Sequence, residues 1–317
     1  MNLALPRIAT VKASSLPKRL RHRDFTPSAT LPDLLTWFDV IGYTILSSSD
    51  MPSRNSTECI RDSEIVLRVD DSARESCSNE FISFSLFVNC LRNALKRINP
   101  TIPPLAIETV ISKVTRTDSD VLENNRCFHK LLSFGVDVKY HVKDQIVHDK
   151  VWLIDSANLL SNDWLVIHPS TAVSDSDSHS LNAVVFINGL PLAVLVWIHP
   201  SNKKATLIKA YQQLQIYKQK IPTLFSYNAF LVIGCGKQAR VGTLTSDWKE
   251  FKPWRTIDGE DFPQPGETEL EILIQGIFDK RRFLELLKHF IKFEETETSI
   301  NKKLLRHPFC TIKNAKR

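Results

Sequence analysis

The sequence predicts an α/β protein, a mixed β-sheet flanked by helices and preceded by a mainly helical N-terminal half. Three observations carry that expectation. Apolar residues recur at helical spacing in successive segments between Leu34 and Leu132. From Val136 the period drops to two, with Val136, Val138 and Tyr140 alternating with polar residues. Two runs rich in β-branched residues then flank Asn188-Gly189, a strong hairpin signal because both residues tolerate positive φ.

Taken in chain order, Leu34, Trp37, Phe38 and Ile41 give a first helix that ends near Gly42. Ser47 to Asn79 is polar and poor in apolar residues, and is expected to be a long loop. Phe84, Phe87, Val88, Leu91, Leu95 and Ile98 share one face of a second helix, which Asn99-Pro100 stops. Ile107, Val110, Ile111 and Val114 mark a third, opened by Pro103-Pro104, since proline suits a first turn whose N–H groups have no partner. Leu122 to Leu132 form a fourth, which Gly135 can cap. Strands follow at Val136 to Tyr140, Val151 to Ile154 and Leu165 to Ile167, and then in the hairpin itself. Thr206 to Gln219 return to helical character, with Leu207, Ala210, Leu214 and Tyr217 on one stripe. Phe230 to Ile233 read as a buried strand, and a final helix is expected from Leu270 to Phe293. Gly234 to Gln238 is a turn and not a phosphate loop. Leu231 stands where that loop needs its first glycine, and Gln238 where it needs Ser or Thr.

At 317 residues, 43% hydrophobic and 24% charged, the chain can bury a substantial core. Residues 1–30 carry six Lys or Arg against Asp24, and residues 296–317 carry six against Glu297. The formal charge of +6 is thus concentrated at the ends, and the middle is left at −4. The expected organisation is a basic flexible tail over 1–30 and a domain over 31–295, with a helical part 31–135 and a sheet core 136–295. A basic tail over 296–317 completes it. Attraction to nucleic acid would have to come from the tails or a local patch, and the plain alternative is that the tails are only solvated. Six cysteines, with no CxxC or Cys/His spacing, read as reduced thiols of a cytoplasmic protein. No run approaches the roughly 18 apolar residues of a membrane span.

Hairpin register decides which residues meet. A two-residue loop would set Asn182 opposite Leu195, whereas a three-residue loop spanning Asn188 to Leu190 would set it opposite Val196, with Ile198 on the same face.

The hairpin stretch, Asn182 to Ile198, together with Leu122 to His129, Asn162-Asp163, Gln213 to Tyr217, Ile221 to Phe225, Ala239 to Leu244, Pro253 to Gly259 and Phe278 to Lys280, follows one family order. Over roughly Leu31 to Phe293 the sequence resembles the N-terminal nuclease domain of the R subunit of type I restriction enzymes, a branch of the PD-(D/E)xK nucleases. The resemblance implies a restriction-endonuclease-like fold, a role in DNA restriction-modification, and DNA and the other restriction-modification subunits as partners. It implies Mg2+ for the nuclease, and ATP only in motor domains that this chain lacks. Family Asp, Glu and Lys positions fall on Asn182, Val196 and Ile198.

Mg2+ is a hard cation that wants oxygen ligands and normally one or two carboxylates. An amide and two hydrocarbon side chains do not supply them, so no cofactor and no phosphodiesterase activity are expected of this chain. The plain reading of Leu192 to Ile198 is a central strand buried on both faces. Two alternatives stand beside this one. The first is an active Mg-dependent endonuclease that uses relocated groups, Asp163, Lys204 and Lys209, and works with a separate motor. The second is a non-enzymatic docking protein for restriction-modification subunits. The resemblance also marks Gln213 and Tyr217, four apart on one helix face, as contacts to DNA or to the site; for Tyr217 a core role is the plain alternative.

Overall fold

Helical periodicity in the first half becomes four helices, α1 (Leu31–Val40), α2 (Val88–Ile98), α3 (Pro104–Thr115) and α4 (Val121–Phe134). The computed structural model describes residues 31–47, 88–116, 120–143, 145–168, 180–198, 206–257, 267–295 and 299–305. The loop expected over Ser47 to Asn79 and the N-terminal tail therefore lie almost wholly outside the described residues. So does the part of the second helix expected before Val88. Helix α3 starts on Pro104 as its prolines suggest, and α4 is capped by Asp120, whose carboxylate accepts from Leu122 N at 2.8 Å. Gly135, at φ 74°, ends α4.

The strands are β1 (Thr44–Ser47), β2 (Val136–Val142), β3 (Gln145–Val151), β4 (Trp164–His168), β5 (Ser180–Ile187), β6 (Leu190–Ile198), β7 (Phe230–Cys235) and β8 (Gln238–Gly242). Six of them form one mixed sheet in the order β1-β4-β5-β6-β7-β8, with β1/β4 and β6/β7 parallel and the other pairs antiparallel. Helices α5 (Leu207–Lys220) and α6 (Pro222–Phe225) connect β6 to β7, as a parallel crossover requires. Among the described residues, strands β2 and β3 pair only with each other. The mixed sheet flanked by helices is the architecture that the periodicities imply.

The hairpin reaches the expected register by an unexpected route. Its turn is the two-residue kind, with Ile187 opposite Leu190, Asn188 at φ 54° and Gly189 at φ 81°. A bulge then follows, because Phe186 faces Pro191 while Val185 faces Ala193, leaving Leu192 as an extra residue on β6. Pro191 has no N–H for the ladder, which makes its neighbourhood the least costly place for the interruption. The bulge places Asn182 opposite Val196. Fully buried Asn188 locks the turn: its Oδ1 accepts from Asp163 N at 2.8 Å, and its Nδ2 donates to Leu153 O and Asn162 Oδ1, each at 2.9 Å.

The sheet separates two apolar layers. One face carries Ala183, Val185, Leu195, Trp197 and Val232 and packs against the N-terminal helices and α7 (Glu269–Ile277). The other carries Val184, Phe186, Val194, Val196, Ile198 and Ile233 and packs against Ala210 and Leu214 of α5. Being buried on both sides explains the unbroken apolar run of β6, all nine residues of which are inaccessible.

Several expectations need correction. The strand expected at Val151 to Ile154 is the end of β3: Leu153 and Ile154 fill the core from an irregular segment that Asn99 holds, accepting from Trp152 N and donating to Trp152 O. The last helix is not continuous. Helix α7 ends at Ile277, with Phe278 as its C-cap, and Asp279 caps a new helix, α8 (Lys280–Glu285), by accepting from Arg282 N. A π-helical turn over Leu286–Phe290 and strand β9 (Ile291–Glu295) follow. Strand β9 pairs with β10 (Ile300–Leu304), so part of the basic stretch expected as a tail is built into the fold. The alternation Ile300, Lys302, Leu304 was the available signal, masked by a lysine at the central inward position. Among the described residues no helix is long and apolar enough to cross a membrane.

Candidate active site

The three positions that the resemblance assigns to the site, Asn182, Val196 and Ile198, converge on one end of the sheet, where β5 begins, β6 ends and α5 starts. Val196 and Ile198 lie on the α5 face of β6, at 1% and 7% exposure, with Ile233 and Cys235 as their neighbours on β7. Ala210 and Leu214 on α5 pack over this face, in the same apolar layer as Val196 and Ile198. Asn182 stands in register opposite Val196. Thr206 caps α5, its hydroxyl accepting from Lys209 N at 3.2 Å, and this fixes where the helix begins relative to the strand ends.

Gln213 and Tyr217 share one side of α5, both half-buried, and Tyr217 packs against the apolar layer that holds Val196. The structure thus gives Tyr217 a packing role whatever else it contacts. Lys209 is half-exposed in the first turn of α5. Lys204 lies outside the described residues. Asp163 is at the opposite end of the sheet, beside the hairpin turn, about 17 Å of strand away from residue 182. Its carboxylate pairs with Arg97 at 2.9 Å and its backbone is bonded to Asn188.

The donor set does not fit Mg2+. Among the described residues no group of three or more His, Cys, Asp or Glu could hold a metal ion. The side chains of Val196 and Ile198 offer no lone pairs, and the described residues of the apolar layer around them carry no negative charge to attract a cation.

A polar cluster that sequence reasoning did not single out lies elsewhere, under β10. The Lys302 side chain is fully buried; its Nζ donates to Asn125 Oδ1 at 2.8 Å and Asn228 O at 2.5 Å, and it lies 5.4 Å from the Phe293 ring centroid. Asn125 is itself saturated, its Nδ2 donating to Phe225 O and Asn228 O. All these partners are neutral, and burial drives the Lys302 ammonium down to about 7. His129, one turn along α4 from Asn125, is pushed down to about 3, by burial first and then by the nearby Lys302 charge. Lys218 on α5 is lowered to about 8 by burial, with its Nζ donating to Leu244 O at 2.7 Å.

Residues 34–250 match the family described as the type I restriction enzyme R protein N terminus. The chain is 30% identical to a type I restriction enzyme HindI endonuclease subunit of Haemophilus influenzae over 74% of its own length and 23% of the relative's. It is 26% identical to a putative type I restriction enzyme MjaIXP endonuclease subunit of Methanocaldococcus jannaschii, over 87% of its own length and 26% of the relative's. The chain therefore spans about a quarter of the length of these relatives.

Proposed function

The chain belongs to the type I restriction enzyme R protein N-terminal family, and on that premise we propose that it is a catalytically silent form of the R-subunit nuclease domain. It keeps the frame of a DNA restriction-modification component without the means to hydrolyse a phosphodiester. The observation that carries this reading is the burial of Val196, opposite Asn182, and of Ile198, two residues on, in a hydrocarbon layer. Without a metal-binding carboxylate pair, neither polarisation of the phosphate nor activation of water is supported at this place. Gln213 and Tyr217 on the rim of α5, and the basic ends of the chain, are the groups left to touch DNA, and contact with the other restriction-modification subunits completes the proposal.

The test is a cleavage assay on supercoiled plasmid with Mg2+ and then Mn2+. The purified chain is expected to leave the plasmid intact at protein concentrations well above those that bind DNA. Nicking or linearisation that disappears in Asn182→Ala would overturn the reading.

A further inference from the structure

On the side of the sheet away from Val196, an open groove of about 580 Å³ runs between the end of α4 and the π-helical turn after α8. Its walls are Phe134, at 68% exposure, and Trp152, at 42%, with Lys150, Lys288 and His289 around them. Two large aromatic side chains exposed in one groove forfeit their burial energy, and such patches mark recognition surfaces. The platform is rigid. Trp152 is held through its backbone by both ends of the buried Asn99 amide, and Leu132, Leu284 and Leu287 of the core lie directly beneath the adjoining floor.

Basic side chains line the same groove. Lys288 and His289 are exposed on the π turn and form no ion pair among the described residues. Lys150 is bridged to Asp137 at 3.0 Å. A second groove shares Lys150 and extends the positive edge through Lys113 and Lys139, against Asp137 and Asp149. Lysine is depleted from the centres of protein interfaces, whereas aromatic faces flanked by amines are how sequence-tolerant single-strand binders hold stacked bases and the phosphates between them.

From these observations we propose that the Phe134/Trp152 groove binds single-stranded nucleic acid, with bases stacked on the two rings and phosphates met by Lys288, His289 and Lys150. A duplex cannot use it, because its bases are already stacked on each other. The site is separate from the degenerate nuclease positions, so it holds or fails independently of the proposed loss of catalysis.

The experiment is fluorescence anisotropy of the full chain with a labelled oligothymidylate of about 12 nucleotides. Trp152→Ala is expected to weaken binding about tenfold at fixed salt, Trp152→Phe to retain most of it, and Lys288→Gln to flatten the salt dependence. Unlabelled duplex of the same length should compete poorly. Equal binding by wild type, Trp152→Ala and Lys288→Gln would overturn the proposal, leaving the basic ends as the source of affinity. Displacement by polyglutamate as effective as by the oligonucleotide would also overturn it, in favour of an acidic peptide partner. Thermal melting of each variant separates a lost contact from a lost fold.

Discussion

Val196→Glu, which puts a carboxylate alone where the resemblance assigns one, is expected to destabilise the fold by at least about 3 kcal/mol near neutral pH. The side chain at 196 is 1% exposed, between Ile233 on β7 and the Ala210/Leu214 face of α5. A buried carboxyl without a partner stays protonated, so its folded pKa is raised above the roughly 4.3 of an unfolded Glu. Its neutral form costs less than its charged form. The deficit relative to wild type should therefore be smallest near pH 4 and grow as the pH is raised through the variant's folded pKa. Chemical denaturation across that range checks both size and sign. A variant as stable as wild type at pH 7 would mean that the layer is polar or hydrated, and the reading of the site would fail with it.

The second large effect concerns Lys302. Its folded pKa is about 7, against roughly 10.4 for a lysine in an unfolded chain, so between these values the unfolded state binds a proton that the folded state does not. Stability should rise with pH across this window and be lost as pH falls toward 7, levelling off below it. The shift corresponds to an upper figure of about 5 kcal/mol. Lys218, lowered to about 8, adds a component of the same sign, and Tyr227, raised to about 12, opposes both above pH 10. Lys302→Met isolates the first contribution, because it removes the titrating group while keeping most of the buried volume. The gap between wild type and variant should change by several kcal/mol between pH 7 and 10. In the variant, His129 should titrate above about 3, since one of the causes of its depression is the Lys302 charge. Parallel stability curves for the two proteins would contradict the assignment.

Legibility of the fold in the sequence followed the strength of local signals. Asn188-Gly189 announced the hairpin because its two positive φ values are local requirements. The bulge at Leu192 was hidden, since it arises from how Pro191 meets the ladder, which depends on the partner strand. Strand β1 is four residues long and β8 starts directly from the turn after β7, so neither has enough alternation to stand out. The last helix was over-extended because Leu284 and Leu287 keep a helical spacing through the cap at Asp279 and into the π turn. At the candidate site the resemblance alone marked Asn182, Val196 and Ile198, whereas burial of Val196 needed only the apolar run around it. Lys302 was illegible for the opposite reason. A lysine beside another lysine in a basic stretch reads as solvated, and only the distant Asn125 and Asn228, brought under β10 by the fold, make an interior position tolerable.

The central claim is that hydrocarbon now fills the place where the family holds its metal ion. Titration of Mn2+ into the intact chain, followed by calorimetry and by the electron paramagnetic resonance signal of the free ion, tests it most directly. The account predicts heats no larger than dilution and a free-ion signal that rises in proportion to the metal added. One Mn2+ bound per chain, and lost in Asn182→Ala, would contradict it.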